Sequence, residues 1–156
     1  MEIIIRAGEK KDLPEILKLI NELATYQKAT HEVNNSIEMM EEDGFGSNPI
    51  FKFFVAEFEG IITGMALYYI KYSTWKGKCV YLEDIIVTEA MRGKKIGDKL
   101  FSAVIKASRE LNVQRLEWQV LNWNVPAINF YKKYRTHFDP ELINCKLLHK
   151  QLQETN

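Results

Sequence analysis

The hexapeptide Arg92-Gly93-Lys94-Lys95-Ile96-Gly97 gathers cations and glycines just ahead of a helical apolar stripe, Ile96, Leu100, Ala103, Val104, Ala107 and Leu111. That spacing predicts a helix over Asp98 to Leu111. The first N–H groups of a helix have no partner within it and lie at the positive end of its dipole, and glycine lets a ligand approach the backbone; phosphate suits such a place. A solvated basic turn capping an ordinary helix has the same composition, and the hexapeptide alone leaves both readings open. Just upstream, Tyr81 to Val87 reads as an apolar strand interrupted by the acidic pair Glu83 and Asp84. Strand alternation sends the two carboxylates to opposite faces. A carboxylate on such a strand can take a proton or hold an ion pair with a neighbour.

The elements that must position these groups follow in order. Glu2 to Ala7 is a first strand ending at Gly8. Asp12, Pro14 and Glu15 mark the start of a helix carrying Leu13, Ile16, Leu17, Ile20, Leu23 and Ala24 as far as Tyr26. Asn34 to Asp43 forms a second short helix ending in Glu41-Glu42-Asp43, acids that sit unfavourably at a helix C-terminus and either face solvent or attract cations. Ile50 to Glu59 and Ile61 to Tyr72 are strands joined by a tight turn at Glu59-Gly60. The aromatic group Tyr68, Tyr69, Tyr72 and Trp75 suits core or interface. After Gly77, the strand Cys79 to Val87 completes an antiparallel meander and leads into the basic loop. A further strand, Gln114 to Leu121, makes a strand–helix–strand unit and hence a right-handed parallel crossover. Asn124 caps another helix with Pro126 in its first turn and Tyr131 beside Phe130, and Leu142 to Leu148 reads as a last strand.

With 156 residues and no repeat or linker, the expectation is a single domain spanning residues 1–156 whose core needs no disulfide or metal. Cys79 and Cys145 fall in strand-like runs and read as small buried hydrophobes in a reducing compartment. Lys plus Arg and Asp plus Glu both count 21, which argues against nucleic acid or a membrane surface as partner. No cationic leader or run of about 20 apolar residues is present, so a cytoplasmic protein is expected. His31, His137 and His149 lack ligand spacing, no Ser/His/Asp or Cys/His grouping stands out, and no metal is implied.

Taken together, the segments EEDGFG at Glu41 to Gly46, ALYYIKYSTWKGK at Ala66 to Lys78, YLEDIIV at Tyr81 to Val87, RGKKIG, and NWNVPAINFYKK at Asn122 to Lys133 resemble the GNAT acyltransferase superfamily, within it the spermidine/spermine N-acetyltransferases. The resemblance spans nearly the whole chain with the motifs in order. It implies an α/β (α+β) GNAT fold: a mixed central sheet with an antiparallel N-terminal meander, a splayed parallel strand pair and flanking helices. It also implies acetyl-CoA as cosubstrate, with Ile85, Ile86 and Val87 pairing with pantetheine, Arg92, Gly93, Lys94, Lys95, Ile96, Gly97 and Asp98 holding the pyrophosphate, and Asn124, Val125, Pro126, Ala127 and Tyr131 flanking the coenzyme. The acceptor amine maps onto Tyr26, Gln27, Glu83, Glu117, Trp118, Gln119 and Glu141, and a homodimer is implied.

An alkylammonium with a pKa near 10.4 costs about 4 to 5 kcal/mol to deprotonate at pH 7, so direct transfer to an amine needs a proton acceptor. By resemblance Glu83 is that base. A departing thiolate needs a proton, and Tyr131 matches the family's phenolic donor. The leading expectation is direct acetyl transfer to a primary amine of a small di- or polyamine such as spermidine or spermine. Three departures accompany the match. Gln27 stands where the polyamine enzymes carry an acid, so thialysine, another small amine or a protein amino group is the alternative acceptor. Lys95 replaces a glycine of the R-x-x-G-x-G pattern, and Arg135 replaces a helix-ending glycine. A non-catalytic acetyl-CoA-binding module is the reading of a different class.

Overall fold

A computed structural model describes residues 2–154 and divides the chain into two compact units, residues 1–119 and 120–156. In the first unit, β1 (Ile4–Ala7), β2 (Lys52–Phe58), β3 (Ile61–Ser73), β4 (Gly77–Val87) and β5 (Leu116–Glu117) form one sheet in that order. The pairs β1–β2, β2–β3 and β3–β4 are antiparallel and β4–β5 is parallel. The β2–β3 turn has Glu59 at φ 51° and Gly60 at φ 78°, the left-handed pair that matches hairpin twist.

Helix α1 (Leu13–Tyr26) buries Leu13, Ile16 and Leu19 against Met40 of α2 (Ile37–Phe45) and against Phe53, Val55, Met65 and Ile86 of the sheet. The side chain of Ser36 caps α2 by accepting from the Met39 N–H, which starts that helix later than its composition suggests. On the alternate side of β3, a Cβ added to Gly64 would meet Leu100 of α3 (Ile96–Glu110) at 3.1 Å and the Ile86 carbonyl at 2.8 Å. Glycine there lets α3, with Ile96, Leu100, Phe101 and Val104 buried, lie close on the sheet.

Asp12 does not cap α1. Its carboxylate accepts from Arg6 Nη1 and Nη2 at 2.7 and 3.0 Å and from the Glu9 N–H at 2.8 Å, while Arg6 Nε donates to Glu57 at 3.0 Å. This half-buried fork ties β1, β2 and the entry to α1 together, and the Arg6 hydrogen bonds hold the Asp12 carboxyl below its usual range.

The second unit contains α4 (Val125–Lys132), capped by Asn124 Oδ1 accepting from the Ala127 N–H at 3.3 Å, and a final short helix α5 (His149–Glu154). Arg135 stands at φ 56°, a left-handed turn that costs a non-glycine residue about 1 kcal/mol. Two expected strands differ. Gln114 to Leu121 contracts to the two residues of β5. Leu142 to Leu148 is not a strand; it has no ladder partner among the described residues and is exposed, because a strand exists only where a neighbour takes its backbone groups. Cys145, within it, is accordingly exposed, whereas Cys79 in β4 is buried.

Asp12→Ala is expected to lower the unfolding free energy by about 2 kcal/mol at neutral pH, since it strips the half-buried Arg6 of its bidentate partner. The loss should shrink as pH falls below the normal carboxylate pKa near 3.8, where the unfolded wild-type chain takes up a proton that the folded carboxylate, held below its usual range, still resists. Urea denaturation of both proteins across pH 3–7 checks it.

Candidate active site

The β3–β4 ladder runs Leu67 opposite Asp84 and then Tyr68 opposite Leu82, so Glu83 has no Cα partner. This bulge interrupts the strict alternation expected of the acidic pair. Glu83 Oε2 accepts a 2.9 Å hydrogen bond from the Tyr69 hydroxyl, and the rings of Tyr69 and Tyr81 lie 5.4 Å apart. Lys71 Nζ sits 5.6 Å from the centre of the Tyr81 ring and 3.3 Å from Glu117 Oε1, to which Arg115 Nη2 also comes within 3.4 Å. The other carboxylate oxygen of Glu117 is buried with no hydrogen-bond partner in the described structure. A buried acceptor left in this state has a place for one more donor.

Electrostatics separate the members of this cluster. Burial, and then the charge of Glu83, raise the Asp84 carboxyl to about 7. Burial and the hydrogen bond to Glu83 likewise keep the Tyr69 phenol protonated, and burial with the acids Glu83, Glu117 and Asp84 does the same for Tyr81. The result is a carboxylate pair on one strand, flanked by phenols that remain donors, with one acid titrating near neutrality.

Parallel pairing of β4 with β5 covers only Val80 and Tyr81. Ile85, Ile86 and Val87 pair with Ala66, Met65 and Gly64 on the β3 side, while no described strand pairs with their β5-side edge. The chain then makes a 3-10 turn at Glu89–Met91 and enters α3. Gly93 stands at φ 77° with open space where a Cβ would be, and Lys95 is the N-cap of α3 at φ 60°, ψ 18°. The N-cap Lys95 makes no side-chain cap, and the amides of Ile96 and Gly97 open the first turn of α3. Lys94, Lys95 and Gly93 are exposed. Such an edge suits a ligand that pairs with strand backbone, and a helix start flanked by lysines suits an anionic group. Arg92, expected at the phosphate, instead turns its side chain back: Nε donates to the Val87 carbonyl at 3.1 Å and the guanidinium lies 5.3 Å from the Tyr26 ring.

Tyr26 closes α1 and Gln27 follows as its C-cap. Trp118 packs edge-on against Phe101 at 5.2 Å, and Gln119 is exposed. In the second unit, Val125 and Pro126 are exposed in the first turn of α4, Ala127 bonds Asn124, and Tyr131 is buried beside Phe130 with ring centres 5.2 Å apart. Glu141 is exposed, its N–H donating to Asp139 Oδ1 at 3.2 Å.

Residues 13–135 match the acetyltransferase (GNAT) family. The chain belongs to that family. The acetyltransferase is 39% identical over 136 residues to mouse thialysine N-epsilon-acetyltransferase, covering 82% of this chain and 80% of the relative. It is 34% identical over 134 residues to human spermidine/spermine N(1)-acetyltransferase-like protein 1, covering 81% of this chain and 19% of that longer protein. Among solved structures, an integron cassette protein from the mobile metagenome of V. cholerae has the same fold, with a TM-score of 0.80 at 23% identity over 99% of this chain and 97% of the other. The fold is the GNAT fold and the protein is an acetyl-CoA-dependent N-acetyltransferase acting on an amine. Among the described residues no group of three or more metal-ligating side chains occurs, and no helix is long and apolar enough to cross a membrane.

The sequence pairs Glu83 with Asp84 but gives Asp84 no part in the site; Tyr69 reads there only as a core or interface aromatic, and Lys71 only as part of the motif Ala66 to Lys78. The bulge that brings them into one neighbourhood has no composition signal, although the acidic pair in an apolar strand is a visible anomaly.

The Asp84 carboxyl titrates near 7 when folded but near 3.8 when unfolded, so the folded protein holds the extra proton between these values and loses stability as pH rises through them. Asp84→Asn is therefore expected to raise the unfolding free energy by about 1 to 2 kcal/mol at pH 8 and to change little at pH 4. Thermal unfolding of both proteins at the two pH values checks the sign.

Proposed function

We propose that this acetyltransferase transfers the acetyl group of acetyl-CoA directly to the terminal primary amine of a small lysine-like molecule such as thialysine. The observation that carries the proposal is the bulged acid pair of β4, set beside a strand edge with no described partner strand that leads into a lysine-flanked helix start. In this reading acetyl-CoA brings the activated acyl group, and the protein supplies binding, orientation and proton handling. The backbone of Ile85, Ile86 and Val87 receives the pantetheine, and the amides and cations of Gly93 to Asp98 receive the pyrophosphate. The family resemblance assigns Asn124 to Ala127 and Tyr131 to the same coenzyme. Glu83 takes the proton that the ammonium must lose before its lone pair attacks the thioester carbonyl, with Asp84 near neutrality as a second acceptor. As the carbon–sulfur bond breaks, the phenol of Tyr131 gives its proton to the departing thiolate, and no covalent acyl-enzyme is needed.

Charge at the acceptor end supports an amine that carries few positive charges. Gln27 is neutral, and Lys71 and Arg115 already engage Glu117, so Tyr26, Gln27, Glu117, Trp118, Gln119 and Glu141 offer less net negative charge than a polycation requires. The mouse relative's name agrees with that preference. The second reading, a di- or polyamine such as spermidine or spermine, is favoured by the acids Glu83, Asp84 and Glu117 and by the name of the human relative. We also place the whole chain in one acetyltransferase domain, cytoplasmic and homodimeric, with the exposed Ile70, Tyr72 and Trp75 of the β3–β4 hairpin as apolar surface for the second copy.

Acetyl-CoA turnover against lysine, thialysine, ornithine, putrescine, spermidine and spermine separates the readings. The proposal expects thialysine or lysine to exceed spermidine in kcat/KM; the opposite ranking selects the polyamine reading, and CoA binding without turnover of any amine selects a non-catalytic module. Glu83→Gln should lower kcat/KM by about 100-fold and flatten its acidic limb, and an unaltered pH–rate profile would remove Glu83 from the role of base. Tyr131→Phe should lower kcat by about 100-fold at nearly constant coenzyme affinity, with unchanged turnover excluding the phenol as acid.

A further inference from the structure

Glu22 lies on α1, one turn ahead of Tyr26, and its carboxylate is spent on the connection between β4 and α3. Oε2 accepts from the Thr88 hydroxyl at 3.0 Å, Oε1 accepts from the Glu89 N–H at 2.7 Å, and Arg92 Nη2 stands 3.9 Å from Oε1. Thr88 is the N-cap of the 3-10 turn Glu89–Met91, yet its own side chain makes no cap. Glu22 therefore caps that turn from a different element, 67 residues away in sequence. Its charge also faces the guanidinium that is folded onto the Val87 carbonyl and the Tyr26 ring.

The position of an acid here runs against simple electrostatics. The turn feeds the loop whose amides and lysines receive phosphate, and a negative charge nearby repels an anionic ligand. What the carboxylate gives in return is order: two hydrogen bonds to an ionised acceptor at the start of the loop, and one fixed location for Arg92. Thr88 is held from the other side by its N–H bonding the Thr63 carbonyl at 2.9 Å, so Glu22 and β3 together clamp the residue at which strand becomes loop.

We propose that Glu22 is a positioning residue of the coenzyme site, one that sets the phosphate loop through Thr88 and Glu89 and fixes Arg92 on the Val87 carbonyl and the Tyr26 ring. The proposal rests on the reading of residues 93–98 as the phosphate loop. Because Glu22 and Tyr26 are four residues apart on one helix face, the same contacts tie the coenzyme loop to the last turn of α1, which carries the acceptor-side Tyr26 and Gln27.

Calorimetric titration with coenzyme A, together with steady-state kinetics of the full chain, tests this. Glu22→Ala is expected to weaken coenzyme A binding and raise the KM for acetyl-CoA by about tenfold, with Glu22→Gln, which keeps an acceptor but loses the charge, nearer threefold. The amine KM at saturating acetyl-CoA should change less than twofold. A purely structural role would instead lower the melting temperature and leave the affinity of the folded protein alone. Should Glu22→Ala fail to fold, the Glu22→Gln result decides. Wild-type affinity in the folded variants, or an equal rise in both KM values, overturns the proposal. Wild-type protein that takes up no coenzyme A overturns the phosphate-loop reading and this proposal with it.

Discussion

A single irregularity in β4 governs the site. If the β3–β4 ladder stayed in register, Glu83 would pair across to β3 and its carboxylate would face away from that of Asp84. The extra residue between Leu82 and Asp84 breaks this alternation. Glu83 then meets the Tyr69 hydroxyl, the charge of Glu83 helps raise the neighbouring Asp84, and Tyr81 feels both acids. Beyond the bulge the strand carries on to Val87 without a described partner on its β5 side, so the same stretch that holds the acids also offers free backbone edge.

That arrangement is kept at a local cost. Lys95 takes a left-handed conformation at the start of α3, where glycine would be relaxed, and the strain is about 1 kcal/mol. The compensation is an ammonium at the one point where the helix dipole already favours an anion. Rigidity around the strained residue comes from packing. Gly64 admits Leu100 close to the sheet, Ile96 is buried directly after the turn, and the Arg6–Asp12–Glu57 fork fixes β1 and β2 against the entry to α1.

The parts of the fold legible in the sequence are those with strong periodicity or turn chemistry. The stripe of α1, the Glu59-Gly60 turn, the α3 stripe and the Asn124 cap with Pro126 all map onto elements within a residue or two. The losses have a common cause, which is that pattern records what a residue prefers and not what it pairs with. Asp12 has the composition of a helix cap, but a nearby guanidinium binds it more strongly. Leu142 to Leu148 has β-forming residues and no ladder to join. Within the site, Glu83 and the basic loop were visible as anomalies of type and spacing. The partners Tyr69, Lys71 and Arg115 come from other strands or from a register shift, and no local signal carries either.

The central claim is that the β4 edge and the start of α3 act as one receptor for coenzyme A. Amide hydrogen exchange with and without acetyl-CoA measures this at the backbone groups concerned. The account predicts new protection at residues 85–87 and 93–98 together, with little change in β1 and β2. Protection at neither segment under saturating acetyl-CoA, or protection confined to other elements, would contradict it.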